Sequence, residues 1–230
     1  MSKSSARSCN NWCTARVRRT EPTVLYADAA LLVIDKPAGL LAVPGRGPDK
    51  QDCVSARIQH LHADALVVHR LDMATSGLML MARGKPAQQT LSRAFANREV
   101  HKTYQALIQG DLPDPPDHWG QIDLPILLDW PQRPRRIISA LDGKPSTTRW
   151  RVLDRSDPAH TRVELEPVTG RSHQLRVHML AMGHPILGDP LYLLGDSADA
   201  SDRLLLHACR MAFAHPVTGQ AMQFDSLAPF

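Results

Sequence analysis

The chain has no apolar run long enough to cross a bilayer. Its longest, such as Leu31–Ile34 and Leu78–Ala82, fall far short of the roughly 20 residues a spanning helix needs. The N-terminal stretch MSKSSARSCNNWCTARVRR carries charge but no apolar segment, so no secretory signal is expected there. Cysteine is scarce: the four, at positions 9, 13, 53 and 209, are too few and too scattered for a disulfide scaffold. Internal repeats, low-complexity linkers and a glycine-rich phosphate loop are all lacking, and no GxSxG elbow occurs. What remains is ordinary: 230 residues, 43% hydrophobic and 22% charged, which excludes disorder, collagen and coiled coil and makes one domain the default. A cytoplasmic location is expected.

The formal net charge of +4 is unevenly placed. Lys3, Arg7, Arg16, Arg18 and Arg19 give the first 20 residues +5 with no acid, so the rest sums to −1. A basic arm over 1–22, followed by a single domain over 23–230, is expected; such an arm suits an anionic partner, a solvated terminus being the competing reading. Lysine is rare, 6 against 21 arginines. Guanidinium groups bind phosphate in a bidentate manner and stack on bases, which ammonium groups do not.

Along the chain, Thr23–Ala27 and Leu31–Asp35 read as a hairpin, and the Pro/Gly-rich 36–50 as loop. Helices are predicted over Cys53–Leu61, over Pro86–Asn97 with Pro86 in its first turn, and from a capping Ser172 through Met182. Strands are predicted at Leu66–His69, Leu78–Met81, Val100–Ile108, Ile122–Leu128, Arg135–Ala140, Thr147–Leu153, Thr161–Pro167, Leu204–Phe213 and Ala221–Phe224. Many strands with few helices imply an α+β domain built on a large, mostly antiparallel sheet.

The segment VVHRLDMATSG (67–77) sets Arg70 and Asp72 two apart directly after a β run, with Ser76-Gly77 allowing a sharp return. An acid at a strand end beside a glycine turn is a common way to present a carboxylate in a cleft; the plainer alternative is a turn-capping Asp72 paired with Arg70. Other segments tip this balance. HRLDMATSG (69–77), KTYQALIQG (102–110), GRSHQLRVH (170–178) and GHPILGDPLY (183–192) resemble, in that order, the motifs of the RluA-type pseudouridine synthases. DKPAGLLAVPG (35–45) and LLLHACRMAFAHPVTG (204–219) are similar to the family's opening and closing segments, and DLPILLDWPQRPRR (123–136) to its small dual-specificity members, which act on 23S ribosomal RNA and tRNA. The S4 RNA-binding domain that many relatives carry in front is not expected.

The resemblance implies a pseudouridine synthase catalytic fold, with a mixed, mostly antiparallel sheet flanked by helices around a central cleft. It also implies isomerisation of a uridine within RNA: the N1–C1′ bond breaks, the uracil turns over, and C5 bonds to C1′. No cofactor and no metal are needed, the partner is RNA, and a monomer independent of membranes is expected. Asp72 takes the position of the reacting carboxylate, as nucleophile at C1′ or as base in a glycal route, and Arg171 that of its cationic partner. Tyr104 is expected to stack on the uracil and to handle a proton at C5. The nucleotide must leave its stack; Arg70 could fill the space it vacates.

Among the remaining candidates, Lys102 reads as a phosphate contact, Arg133, Arg135 and Arg136 as a basic loop along the RNA backbone, and Leu205 as an apolar wall. His173 and Gln174 are expected near the site, while Arg176 and His178 are expected in supporting roles. Competing readings are an enzyme restricted to ribosomal RNA, a non-catalytic RNA-binding protein of the same fold, and a hydrolase using Asp72 with a histidine. His60, His62 and His69, or Cys9 and Cys13, lack the paired spacing of a structural zinc site.

Overall fold

In a computed structural model of the chain, residues 21–157, 159–193 and 201–230 are described below. The expected basic arm lies outside them, apart from Glu21 and Pro22, as do Cys9 and Cys13.

The fold grows from two strands that are apolar on both faces. β2 (Leu31–Lys36) and β4 (Ser76–Arg83) pair antiparallel and are buried almost throughout. Because side chains alternate along a strand, Leu31, Val33, Leu78 and Leu80 join one core, whereas Leu32, Ile34, Met79 and Met81 join another on the opposite face. Each face is covered by one helix. α1 (Val54–Leu61) brings Val54 and Ile58 to the second core, and α2 (Lys85–Ala96) brings Ala87 and Leu91 to the first. The Cys53 sulfur caps α1 by accepting the Ala56 N–H, and Pro86 sits in the first turn of α2, where its missing N–H is harmless.

β1 (Thr23–Ala27) extends this half at its edge, and β3 (Ala65–Val67) pairs with β4. The other half contains β5 (His101–Gln109), β9 (Thr147–Asp157) and β10 (His160–Pro167), with β6 (Gly120–Asp123) on its edge. A third core lies between this sheet and α3 (Gln174–Ala181), through Ala106, Ile108, Val163, Leu165, Leu175 and Met179. β11 (Leu206–Ala214) joins the halves, running parallel to β4 and antiparallel to β5, while β12 (Ala221–Asp225) pairs with β11. The sheet is therefore mixed and mostly antiparallel.

The seam between β4 and β11 depends on Gly77, with φ +107°, opposite Ala208. A Cβ there would fall 2.6 Å from the Ala208 nitrogen and closer still to its carbonyl oxygen, so only glycine lets the strands meet. The segment 68–75 emerges immediately before this seam, at the centre of the sheet.

Two predicted elements differ. The single strand expected over Ile122–Leu128 is interrupted at Pro125, which lacks the N–H a continuous ladder requires. Its first part is β6. Its second, β7 (Ile126–Leu128), leaves the main sheet to form a separate hairpin with β8 (Arg136–Ile138), whose turn contains a cis Arg133–Pro134 bond. Ser172 does not cap α3. That position belongs to His173, whose φ of 57° lies in the left-handed region, and the Gln174 side chain accepts the Arg171 N–H.

Candidate active site

Asp72 stands in the loop between β3 and β4, on the wall of a cleft of about 620 Å³ that opens between the two halves of the sheet. Leu71 beside it is buried in the core, which anchors the loop, and the Lys36 ammonium ties down its far side. Lys36 is fully buried at the end of β2 and donates to the carbonyls of Pro37, Leu40 and Met73 at 2.8, 2.8 and 3.0 Å. All three of its protons are thus used to hold the residue that follows Asp72 against the loop after β2. Burial pushes this amine down to about 7, against the pull of the Asp72 charge.

The cation facing Asp72 comes from α3. Arg176 is 3% exposed and reaches the Asp72 carboxylate with Nη1 at 3.6 Å. Its Nε and Nη2 form a bidentate pair with Asp189 at 2.7 and 2.6 Å, and Asp189 is itself 1% exposed. Burial alone would push this guanidinium down, but the hydrogen bonds and charge of Asp189, with Asp72 beyond, hold it above its ordinary value. The fixed fork of the side chain explains the arrangement: one edge is spent on Asp189 and the remaining nitrogen is left for Asp72. His173 Nε2 lies 3.9 Å from the same Asp72 oxygen, Oδ2. Burial lowers the His173 imidazole, partly opposed by Asp72, so it is neutral at physiological pH.

Tyr104, in the middle of β5, lines the cleft and packs between the two cores that meet at the seam. Burial first, then the Asp72 charge, raises its hydroxyl well above the usual phenol range, so it stays protonated. Leu206 and Thr75 complete this floor. On the outer side, Arg70 is exposed, lines the cleft, and forms no ion pair with Asp72. Lys102 lies over the Phe95 ring at 5.8 Å, lowered by burial, near a His69 that burial and Lys102 together push down to about 3. His69 Nε2 accepts the Leu80 N–H at 2.8 Å, which fixes the base of the loop carrying Asp72.

A carboxylate held beside a buried guanidinium, with an aromatic floor and arginines at the rim, is an arrangement suited to chemistry on a base and its sugar. The sequence profile of the family described as RNA pseudouridylate synthase matches residues 30–181. The chain belongs to the RNA pseudouridylate synthase family. It is 48% identical over 207 residues to the dual-specificity RNA pseudouridine synthase RluA of Yersinia pestis, covering 90% of this chain and 99% of that one. The RluA of Haemophilus influenzae is 44% identical over 207 residues, at 90% and 93%. Among solved structures, human RNA pseudouridylate synthase domain containing 1 superposes with a TM-score of 0.75 at 27% identity, covering 92% and 85% of the two chains. Human RNA pseudouridylate synthase domain containing 4 gives 0.68 at 26%, covering 90% and 88%. The expected mixed, mostly antiparallel catalytic fold is that of the family, and the protein is an RNA pseudouridine synthase.

Several expected site residues sit elsewhere than the synthase motifs suggested. Arg171 is not the partner of Asp72: it lies exposed on the cleft rim, its guanidinium 3.5 Å from the Pro145 carbonyl, because the turn before α3 points it outward while Arg176, one helical turn in, points inward. Gln174, on the cleft lining, is buried and wholly engaged with Thr169, Thr147, Thr148 and the Arg171 N–H, which shapes the loop before α3. Leu205 faces away; the alternation of the chain puts Leu204 and Leu206 in the core, and Leu206 in the cleft.

Arg133, Arg135 and Arg136 gather on the β7–β8 hairpin, as a group beside the cleft. Arg133 stacks on the exposed Trp130 ring at 4.2 Å, and Arg135 lies over Tyr192 at 5.7 Å. His178 is buried and bonded to Thr148 and the Leu124 carbonyl. Lys36, Asp189 and Tyr192 were not singled out from the sequence. A lysine ending the apolar run LLVID and an acid inside GHPILGDPLY are the signals that mark two of them. Among the described residues, no group of three or more His, Cys, Asp and Glu side chains could hold a metal, and no helix is long and apolar enough to cross a membrane.

Proposed function

We propose that this synthase isomerises uridines in both a 23S ribosomal RNA hairpin and a tRNA anticodon loop, with Asp72 as the reacting carboxylate. The observation that carries the reading is the ion-paired but accessible Asp72, 24% exposed and 3.6 Å from a buried Arg176. A carboxylate drawn out of water loses its charge unless a fixed cation offsets the desolvation. Arg176, held by Asp189, supplies that cation without moving.

The target nucleotide enters flipped out of its stack, at a cost of a few kcal/mol that is smallest in a loop. Arg70 fills the space left behind. Tyr104 stacks on the uracil above Leu206, and its protonated hydroxyl donates a hydrogen bond to the base instead of acting as a phenolate. Asp72 supports cleavage of N1–C1′; the uracil turns over, C5 bonds to C1′, the C5 proton leaves and N1 is protonated. Lys102, Arg171 and the hairpin group Arg133, Arg135 and Arg136 bind phosphates around the entering loop, as guanidinium-rich rims do. Residues 1–22 add a basic arm to the catalytic domain of residues 23–230, and the protein works as a cytoplasmic monomer on RNA, with no metal and no cofactor. Support for two RNA classes comes from the relatives named for dual specificity and from the WPQRPRR hairpin at 130–136.

The test is carbodiimide mapping of pseudouridines in cellular ribosomal RNA and tRNA with and without the gene. One lost site in a 23S hairpin and one in an anticodon loop are expected. Loss from ribosomal RNA alone would leave an enzyme of single specificity.

A further inference from the structure

Tyr192 lies in the turn after Asp189, 4% exposed, and its hydroxyl sits at a junction. The backbone N–H of Arg136, the first residue of β8, donates to it at 2.8 Å. His173 Nδ1 lies 2.8 Å away on the other side. The His173 and Tyr192 rings meet edge to face, 5.7 Å apart at 87°, so the contact is fixed in direction as well as distance. His173 is also held from behind by a left-handed backbone, φ 57° and ψ 16°, a conformation that non-glycine residues keep only where their surroundings impose it.

The proton count follows from the partners. A backbone N–H only donates, so the Tyr192 oxygen accepts from Arg136. The hydroxyl has one proton of its own, and among the described residues its remaining hydrogen-bond partner is His173 Nδ1. If the hydroxyl donates there, Nδ1 is unprotonated, and a neutral imidazole must carry its proton on Nε2. That atom faces Asp72 Oδ2 at 3.9 Å. The opposite tautomer would aim a lone pair at a carboxylate. At 3.9 Å the Nε2–H is beyond hydrogen-bond range, so it restrains the carboxylate electrostatically while leaving both oxygens free to approach a sugar.

We propose that Tyr192 is a positioning residue: its hydroxyl fixes His173 as the Nε2–H tautomer, so that an N–H and not a lone pair faces the Asp72 carboxylate. The proposal rests on the reading of Asp72 as the reacting group. Since the same hydroxyl accepts from the hairpin that carries Arg135 and Arg136, the joint also links that hairpin to the catalytic acid.

The experiment is ¹⁵N NMR of histidine-labelled, full-length protein without RNA, comparing wild type with Tyr192→Phe, the His173 resonances being identified by their absence in His173→Asn. Single-turnover rates and RNA affinities of wild type and Tyr192→Phe are measured alongside. In the wild type, Nδ1 should give a pyridine-type shift and Nε2 a pyrrole-type shift; in Tyr192→Phe the tautomers should mix. The rate should fall about tenfold, the scale of one lost hydrogen bond, with RNA affinity unchanged. A pyrrole-type Nδ1 in the wild type overturns the proposal without reference to any variant. So does an unchanged rate in a folded Tyr192→Phe, or a loss confined to RNA affinity. A wild-type protein inactive on RNA would refute the reading of Asp72, and the tautomer measurement would stand apart from that failure.

Discussion

Replacing Arg176 by methionine strands a buried carboxylate. Asp189 is 1% exposed and would lose both hydrogen bonds to its cation. Removing one member of a buried pair costs about 3–5 kcal/mol, which in a domain of this size lowers Tm by roughly 6–20 °C. The double variant Arg176→Met/Asp189→Asn removes both charges. The amide oxygen of the asparagine can still accept the N–H groups of Leu191 and Tyr192, which Asp189 accepts at 2.9 and 3.2 Å. Stability should therefore return to within about 2 kcal/mol of wild type, since a neutral amide with an unpaired N–H costs far less to bury than a lone carboxylate.

Activity should not return with stability. At 3.6 Å the Arg176–Asp72 attraction is ~4–5 kcal/mol at an effective dielectric of about 20. Solvent reaching a carboxylate that is 24% exposed reduces this to about 2–3 kcal/mol, or roughly 30- to 150-fold in rate. Thermal denaturation and single-turnover tritium release from C5-labelled RNA read the two effects separately. A double variant that is stable and turns over like wild type would refute the need for a cation at Asp72. One as unstable as Arg176→Met would refute the desolvation argument.

Two further outcomes concern Lys36 beneath the Asp72 loop and Tyr104 in the cleft. Lys36 has its folded-state value pushed down to about 7 from an ordinary 10.5, so between those values the unfolded chain holds a proton that the folded chain releases. Stability from this residue therefore rises with pH across that window and is lowest below it. The Tm difference between wild type and Lys36→Met should drift in favour of wild type from pH 7 to 10, and a flat difference would contradict the burial argument. For Tyr104, anisotropy binding to an RNA hairpin should show Tyr104→Phe near wild type, because the ring remains. Tyr104→Ala should bind about 5- to 150-fold more weakly, the range of one base–aromatic stack; equal affinity would remove Tyr104 from the base site.

Much of the fold was legible because its signals are local. The strand-like run HKTYQALIQ, stopped by Gly110, marks β5, and the paired runs LLVID and SGLMLMA mark the two buried strands. Asp72 was legible as a candidate only through the resemblance of the ordered motifs, because Leu71 before it and Ser76-Gly77 after it fit a turn-capping acid as well. The phase of α3 was not. Its residues from Gln174 to Met179 are all buried, so no polar stripe indicates which basic side chain faces inward, and Arg171 and Arg176 cannot be told apart by pattern. Leu205 was off by one residue, an error that reverses the face of a strand. Lys36 and Asp189 escaped notice because a buried charge is recognised by its partners: those of Lys36 are backbone carbonyls, of Pro37, Leu40 and Met73, which no residue type announces, and that of Asp189 is Arg176, on a separate element.

The most direct test of the site is tritium release from RNA labelled at uracil C5 by wild type and by Asp72→Asn, with affinity for the same RNA measured in parallel. Asn keeps the shape of the side chain and removes its charge. Release by wild type without added metal or nucleotide, and none by Asp72→Asn at matched RNA affinity, is the expected result. Tritium release by Asp72→Asn at the wild-type rate would contradict the assignment of Asp72 as the reacting carboxylate.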